Sequence, residues 1–261
     1  MTYPNLERVL GKTLLMKNSS HPYYKWIMKS KDSKEKSFLQ RLDNYLETVN
    51  PLLHTKRIPS NLRNSEQFIS TYYELEVGCY LLNQGFEVDF EHNLPVEIGN
   101  HKTPDVFVIK ENIIVEVKKL SQSDEVEMGI KSGKVFKFNS PNRVKDRISD
   151  ELGKYSRRGI KYPLVVMLCK DVIDPPILTP DDLEAVLFCR SDRGIFAGGK
   201  FHLTYDVDYE GLYYVDNGRQ ADILSGVGLW RDKPMCFFEN PNVNRYGKIP
   251  RGKILDFLKS F

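Results

Sequence analysis

The residues best suited to chemistry lie between Pro104 and Lys118. Asp105 follows the proline, and after ten intervening residues Glu116 and Lys118 stand in a strongly apolar run, Asn112–Lys118. Because side chains alternate between the faces of a strand, Glu116 and Lys118 are expected on one face, with Ile113, Val115 and Val117 on the other. Burying such charges costs free energy unless they are paired or bind a metal ion. A chemical role is therefore expected for the pair.

A second strand, Asp105–Ile109, is predicted to begin at Asp105. The turn Lys110–Asn112 is short enough for the two strands to pair as a hairpin. Asp105 and Glu116 could then meet. Two hard oxygen ligands suit Mg²⁺ or Mn²⁺ better than zinc, and Lys118 could position an attacking water or stabilise a pentavalent phosphorus. In the alternative interpretation, Asp105 is only a turn residue. Glu116 and Lys118 then form an ion pair on a solvated face of the sheet.

A helix is predicted upstream, from a Ser65 cap to a stop at Gly85. Its main buried stripe consists of Phe68, Tyr72, Leu75, Cys79 and Leu82. Glu74 lies beside this stripe on the face of Gly78 and Leu81, whereas Glu76 is expected to point more nearly away. Glu74 is therefore the favoured inward acid, with Glu76 as the substitute. A solvated helix carboxylate is the other interpretation.

The remaining predicted elements complete an αβββαβ core. Phe86–Glu91 alternates apolar and acidic residues, which indicates a half-exposed strand. Ser140-Pro141-Asn142 is typical of a helix start, and Val144, Ile148, Leu152 and Tyr155 follow at helical spacing. Pro163–Cys169 is apolar on both faces, which predicts a fully buried strand.

Pro104-Asp105, Glu116-Val117-Lys118 and the acid-bearing helix before Gly85 together resemble the PD-(D/E)xK nuclease superfamily, over about residues 65–169. The resemblance implies a restriction-endonuclease-like α/β fold, with a mixed central sheet flanked by helices. It also implies that Asp105 and Glu116 are metal ligands and Lys118 the catalytic lysine. By the same resemblance Glu74 is a supporting acid, and Val117 contributes only its backbone carbonyl. No subfamily is identified.

Three segments are expected: 1–64 as a helical N-terminal segment, 65–170 as the nuclease core, and 171–261 as a β-rich extension or lobe. In the first, Asp32-Ser33 precedes a helical pattern of Phe38, Leu42, Tyr45, Leu46 and Val49. In the last, short strands are predicted at Ala185–Phe188, Gly211–Val215 and Met235–Phe238. These strands could extend the central sheet or form a separate lobe.

Basic residues cluster after the proposed catalytic strand, although the whole chain has a formal charge of only +3. From Lys131 to Lys161 ten basic residues stand against three acidic ones, a balance of +7, whereas Asp171 to Asp216 has three against ten, or −7. The basic segment is a candidate for tracking phosphates, and a merely solvated surface is the alternative. The candidate nucleic-acid-binding residues are Lys131, Lys134, Lys137, Arg143, Lys145, Arg147 and Lys154.

The four cysteines, Cys79, Cys169, Cys189 and Cys236, are far apart in mostly apolar surroundings, so buried structural thiols are expected rather than a zinc site. His92 and His101 flank predicted strands and could touch phosphate or water. Histidines in such loops are more often simply exposed. Without a long apolar run or a secretion signal, a cytoplasmic protein with no membrane partner is expected.

The resulting expectation is a Mg²⁺- or Mn²⁺-dependent endonuclease acting on DNA. An RNA-cleaving version of the same site is one alternative, since nothing in the sequence reads a 2′-hydroxyl. A catalytically inactive nucleic-acid-binding subunit of this fold is another, because fold alone does not establish function. An accidental motif in an unrelated protein is the third. The resemblance also makes a homodimer possible.

Overall fold

The structure is a computed structural model, and it describes residues 3–11, 21, 23, 33–54, 56–95, 103–120, 140–156, 162–170, 179–188, 190–197, 200–207, 224–231, 233–240 and 258. The chain divides into two compact units. Unit 1 comprises Met1–Leu94 and Lys102–Lys110, and unit 2 comprises Pro95–His101 and Glu111–Phe261.

Unit 1 is mainly helical in its described part. Its elements are α1 (Pro4–Leu10), α2 (Ser33–Val49), a 3₁₀ turn (Asn50–Leu52), α3 (Arg57–Arg63), α4 (Phe68–Asn83), β1 (Val88–Asp89) and β2 (Val106–Val108). The two strands are antiparallel, with Val88 opposite Val108 and Asp89 opposite Phe107. Helix α4 packs against α2, α3 and β1. The predicted N-terminal helix is therefore confirmed as α2, whose Leu39, Leu42, Leu46 and Val49 are buried.

Helix α4 is buried almost all round, which is typical of a helix with packed neighbours on several sides. The predicted stripe is buried except for Leu82, which is half-buried. The helix ends as predicted at Gly85, whose φ of +85° places it in the left-handed region that glycine tolerates best. The N–H of Phe86 donates to the carbonyl of Leu81 and that of Gly85 to Leu82, which together form a Schellman motif.

Two local predictions for this region are wrong in detail. The helix begins at Phe68 rather than at Ser65, because Asn64 organises a turn in front of it by accepting the N–H of Glu66 at 2.9 Å. The predicted strand Phe86–Glu91 contains only the two residues of β1. Glu91 is buried instead of exposed, since its carboxylate accepts the main-chain N–H of His54 at 2.7 Å.

Gly78 allows α4 to lie close to the chain that leaves β1. A Cβ atom at this position would come within 2.3 Å of the Phe90 ring and 3.4 Å of Val106. Phe90 is fully buried, so a side chain at position 78 would force a shift within a packed region. Glu74 precedes Gly78 by one helical turn and so shares its face, as the sequence predicts.

Unit 2 is an α/β unit with a mixed sheet. Its described elements are β3 (Ile113–Leu120), α5 (Ser140–Ser156), β4 (Leu164–Lys170), α6 (Pro180–Phe188), β5 (Arg190–Ala197), β6 (Lys200–Val207), β7 (Leu224–Arg231) and β8 (Lys233–Glu239). The order of the described strands in its mixed sheet is β3-β4-β7-β8, in which β3–β4 and β4–β7 are parallel and β7–β8 is antiparallel. In register, Glu116 lies opposite Val166 and Lys118 opposite Leu168.

Helices α5 and α6 pack against each other and contact β3 and β8, respectively. Residues 163–169 are all buried, which confirms the strand predicted there. The apolar stripe of α5, from Val144 to Tyr155, is buried as predicted. An α/β chain with a mixed sheet and packed helices is thus confirmed, and the described elements from α4 to β4 run in the order αβββαβ. The restriction-endonuclease-like arrangement stays a prediction.

In the C-terminal segment, β7 and β8 extend the sheet, whereas β5 and β6 form a separate antiparallel pair. Met235–Phe238 lies within β8 as predicted, and Gly211–Val215 falls outside the described residues. The strand predicted at Ala185–Phe188 is wrong, because these residues end helix α6. Pro180 begins that helix, and Leu183, Val186 and Leu187 are buried at helical spacing. The three-segment domain division stays a prediction.

Candidate active site

Strand β3 places Glu116 and Lys118 side by side in unit 2. Glu116 is fully buried, and the Lys118 ammonium nitrogen lies 2.7 Å from its Oε2 atom. The Lys118 side chain is 20% exposed, so the ammonium lies at the edge of the buried region. The sequence-based alternative of an ion pair on a solvated face is therefore wrong for Glu116, because both faces of β3 are buried from Ile113 to Val117.

Helix α5 completes this group of charges with Glu151 and Tyr155, to which sequence reasoning gave no site role, and with Lys154, which was predicted to bind nucleic acid. The Tyr155 hydroxyl donates to Oε1 of Glu116. Glu151 is one helical turn earlier, and its Oε1 atom lies 3.4 Å from the Lys118 nitrogen and 2.5 Å from that of Lys154. The spacing of 151, 154 and 155 puts all three on one helix face. Because Tyr155 was expected to be buried, the helical spacing could have predicted that Glu151 and Lys154 lie near it.

We call Glu116, Lys118, Glu151 and Lys154 the charged quartet. Its two carboxylates are buried, with side-chain exposures of 0% and 3%, while Lys154 is 51% exposed. Two ammonium groups balance the two carboxylates, which offsets the cost of removing those carboxylates from water. One atom remains unsatisfied: Oε2 of Glu151 is buried and has no hydrogen-bond partner in the described part of the chain.

Unit 1 holds Glu74 and Asp105, the other predicted acids. Glu74 is 6% exposed, and its Oε2 atom is 3.0 Å from Nη1 of Arg57. The other terminal nitrogen of Arg57 donates to the main-chain oxygens of Phe90 at 2.5 Å and Asp105 at 3.4 Å. Asp105 itself is half-buried. Arg57 therefore ties an acid of α4 to the backbone just before β2, which sequence reasoning missed.

Glu76 is also buried, contrary to the expectation that it points away from the packed face. Its Oε1 atom accepts hydrogen bonds from the hydroxyls of Tyr72 at 3.0 Å and Tyr45 at 3.3 Å, and it lies 3.7 Å from Arg41. Burial, and then the charge of Glu76, raise the pKa of both hydroxyls well above the ordinary value for tyrosine. Helix α2 supplies Tyr45 and Arg41, which explains why this face is not solvated.

The carboxylates of Glu74, Asp105 and Glu116 are of the type that Mg²⁺ and Mn²⁺ prefer, so the residue types fit such an ion. Within the described residues, however, no three His, Cys, Asp or Glu side chains form a group that could hold a metal ion. The ligand set of Asp105, Glu116, the Val117 carbonyl and Glu74 stays a prediction. Glu116 already has Tyr155 and Lys118 as partners, so a cation that reaches its Oε2 atom comes close to the lysine ammonium and is repelled by it.

The structure describes only part of the proposed nucleic-acid-binding residues. Lys131, Lys134, Lys137 and the side chain of Arg143 lie outside the described residues. On α5, Arg147 is exposed and Lys145 is half-buried. Lys154 is bound to Glu151, so its ammonium already has an acidic partner within the unit. The phosphate-binding role of these residues stays a prediction.

Three of the cysteines are described as free thiols, with Cys79 and Cys169 buried and Cys236 half-buried. Burial raises the pKa of Cys79 to about 12, as expected for an unreactive structural thiol. His92 stacks on Phe107 at 4.0 Å between ring centroids and lies 3.2 Å from an oxygen of Asp89. Cys189 and His101 fall outside the described residues.

Comparison with family profiles, with curated proteins and with solved structures finds no match to this chain. In the part that the structure describes, every helix is too short or too polar to cross a membrane.

Proposed function

We propose that the chain is a metal-dependent endonuclease of the PD-(D/E)xK type that hydrolyses phosphodiester bonds of DNA. The observation that carries this proposal is the fully buried Glu116, which has the Lys118 ammonium 2.7 Å from one oxygen and the Tyr155 hydroxyl on the other. A strand interior rarely contains such a pair unless the pair has a role, because removing charged groups from water costs free energy.

Each residue has a defined part in the proposed reaction. Asp105 and Glu116 would hold the cation, with Glu74 in support and the Val117 carbonyl as a further oxygen ligand. When bound, Mg²⁺ or Mn²⁺ polarises a phosphoryl oxygen and lowers the pKa of a bound water. Lys118 positions the attacking water or stabilises the charge that develops on the phosphorus oxygens. Tyr155 fixes the orientation of the Glu116 carboxylate by its hydrogen bond.

The basic segment that follows β3 supports a polynucleotide as substrate. Between Lys131 and Lys161 the chain has a balance of +7, and Arg147 presents an exposed guanidinium on α5. Such residues bind phosphates without reading the sequence of bases, so DNA and RNA both fit this charge. DNA is proposed because the superfamily resemblance favours it, and RNA is the rival substrate.

The direct test is a cleavage assay on supercoiled, linear duplex and single-stranded DNA and on matched RNA, with Mg²⁺, Mn²⁺ or EDTA. We expect metal-dependent cutting of DNA by the wild type and loss of cutting in Asp105→Ala and Lys118→Ala. Lys119→Ala is the matched control, since its side chain alternates to the other side of β3. Equal cutting by the wild type, Asp105→Ala and Lys118→Ala would remove the assignment, and faster cleavage of RNA would change the substrate class.

A nucleic-acid-binding subunit without a catalytic metal is the second candidate. It is favoured by the charged quartet, in which both carboxylates have ammonium partners without any added cation. Calorimetry with Mn²⁺ separates the two candidates. The nuclease takes up Mn²⁺ with an affinity that Asp105→Ala reduces. The binding subunit retains DNA affinity in EDTA and shows no such uptake.

A further inference from the structure

We propose that Glu151 is a positioning residue for Lys118, which accepts the ammonium group when it leaves Glu116. This inference rests on the proposed nuclease function and adds a residue that the motif does not contain. In the structure Lys118 lies between two buried carboxylates, 2.7 Å from Glu116 and 3.4 Å from Glu151. The ammonium therefore already has a second acceptor within reach.

Glu151 has unused capacity to take the ammonium. Its Oε2 atom is buried and lacks a hydrogen-bond partner among the described residues, while its Oε1 atom is bound by Lys154. A buried acceptor without a donor is unfavourable, and an additional N–H from Lys118 would remove that cost. The Lys118 ammonium has three donors on a flexible stem, so it can contact either carboxylate without a change in the backbone.

Lys154 lowers the electrostatic cost of moving the Lys118 ammonium from Glu116 to Glu151. It balances the charge of Glu151 while Lys118 is on Glu116, and its side chain is 51% exposed. Water can therefore solvate the Lys154 ammonium when Lys118 takes over Glu151. A buried third ion would not have this freedom, because its desolvation would oppose every change of partner.

Transfer of the Lys118 ammonium to Glu151 prepares the Glu116 carboxylate to bind a cation. Its Oε1 atom keeps the hydrogen bond from Tyr155, which holds the orientation of the carboxylate. Its Oε2 atom loses the ammonium and becomes accessible to a cation. Glu151 thus acts on the metal-binding carboxylate through Lys118, without touching the cation or the substrate.

The test compares three variants on the full chain, each confirmed as folded by thermal melting. Glu151→Gln removes the negative charge of the second acceptor and leaves only a neutral amide oxygen, which binds an ammonium group less strongly. Asp150→Asn, at the preceding exposed position, removes one negative charge from the same helix. The double variant Glu151→Gln/Lys154→Gln removes one charge of each sign and so keeps the net charge of the wild type. Mn²⁺ affinity is measured by calorimetry, and DNA cleavage is measured in parallel.

We expect Glu151→Gln to bind Mn²⁺ at least about tenfold more weakly than the wild type, as for other groups that orient a metal ligand. Asp150→Asn should stay within about twofold, as expected for an exposed charge screened by salt. The double variant should be as defective as Glu151→Gln, because the anionic acceptor is still missing. A crystal structure of Glu151→Gln should show Lys118 on Glu116 in the presence of Mn²⁺.

Two results would overturn the inference and leave the nuclease proposal intact. One is a Glu151→Gln variant that binds Mn²⁺ as tightly as Asp150→Asn. The other is recovery of wild-type affinity in the double variant, which would assign the effect to net charge alone. If Glu151→Gln does not fold, the double variant alone decides between the same two outcomes. A wild type that neither takes up Mn²⁺ nor cleaves DNA removes the proposed function, and this inference falls with it.

Discussion

The buried acids Glu74 and Glu76 of unit 1 are paired with arginine, whereas Glu116 and Glu151 of unit 2 are paired with lysine. In unit 1, Glu74 is bound by Arg57, and Glu76 has Arg41 and two tyrosine hydroxyls around it. In unit 2, Glu116 and Glu151 share Lys118, and Lys154 also binds Glu151. Arginine and lysine are not equivalent partners, so the acid sites of the two units differ in how firmly the cation is held.

An arginine gives several hydrogen bonds in a fixed planar geometry and stays charged. Arg57 uses that geometry to join Glu74 to two main-chain oxygens, those of Phe90 and Asp105. A lysine is a compact charge on a flexible stem and can change partners. The arginine pairs of unit 1 therefore stabilise the chain's path, whereas the lysine pairs of unit 2 can rearrange during a reaction.

The largest expected effect is on activity in unit 2. Lys118→Arg keeps the positive charge but replaces the mobile ammonium with a bulky planar group beside Glu116. We expect nuclease activity to fall by at least about 100-fold, the usual cost of removing one donor that stabilises a transition state. Steady-state cleavage of DNA measures it. Lys119→Arg, the next residue of β3, is the control, and a Lys118→Arg variant with half of the wild-type rate would contradict the proposed role.

The reciprocal exchange in unit 1 should affect stability. Arg57→Lys retains the charge near Glu74 but cannot reach two carbonyls as well, so a buried acceptor loses its donor. We expect a loss of about 2 kcal/mol in the free energy of unfolding, measured with urea. Arg63→Lys on the same helix is the matched control, because Arg63 makes one exposed bond to the carbonyl of Val9. Equal losses in the two variants would show that the bonds of Arg57 stabilise unit 1 no more than one exposed arginine bond does.

The sequence alone predicted the elements whose pattern is local. Helices α2, α4 and α5 and strand β4 follow from apolar spacing, and the end of α4 follows from Gly85, since the signals lie within a few residues. Helix α6 was misread because a short apolar run such as Ala185–Phe188 suits a strand as well as a buried helix. The Pro180 start was the stronger signal.

The site was predictable only where its residues are close in the chain. The adjacent placement of Glu116 and Lys118 follows from the period of a strand. Arg57 was not predictable, because its partners Glu74, Phe90 and Asp105 are 17, 33 and 48 residues away. The burial of Glu76 likewise depends on α2, whose Tyr45 lies 31 residues earlier. Single-sequence patterns do not carry such long-range pairings.

A smaller effect compares the tyrosines that bind acids in the two units. Tyr155→Phe removes the hydroxyl from Oε1 of Glu116, and we expect a loss of about 1.5 kcal/mol in unfolding free energy, as for a hydrogen bond to a charged group. Tyr45→Phe should cost less than about 1 kcal/mol, because Glu76 keeps Tyr72 and Arg41. Urea unfolding of both variants measures the difference. A larger loss in Tyr45→Phe would mean that Glu76, not Glu116, is the more dependent acid.

The smallest effect concerns His21, a buried base of unit 1 that is held by main-chain groups. Its Nε2 atom lies 3.0 Å from the carbonyl oxygen of Leu62, and its Nδ1 atom accepts the N–H of Tyr23 at 3.2 Å. This pattern requires the neutral ring with the proton on Nε2. Burial lowers the pKa of His21 from the usual 6.5, and the bond to Leu62 opposes the change only in part.

The unfolded chain therefore binds a proton at His21 more readily than the folded chain does, so this contribution to stability is complete above about pH 6.5 and decreases as the pH falls below it. The slope cannot exceed about 1.4 kcal/mol per pH unit, because one proton is involved. Urea unfolding between pH 7.5 and 5.5 measures the slope, and His21→Gln should flatten it, since the amide does not titrate. Parallel curves for wild type and variant would assign the acid sensitivity of unit 1 to other groups, whereas a flatter variant curve would show that protonation of the buried His21 limits its stability.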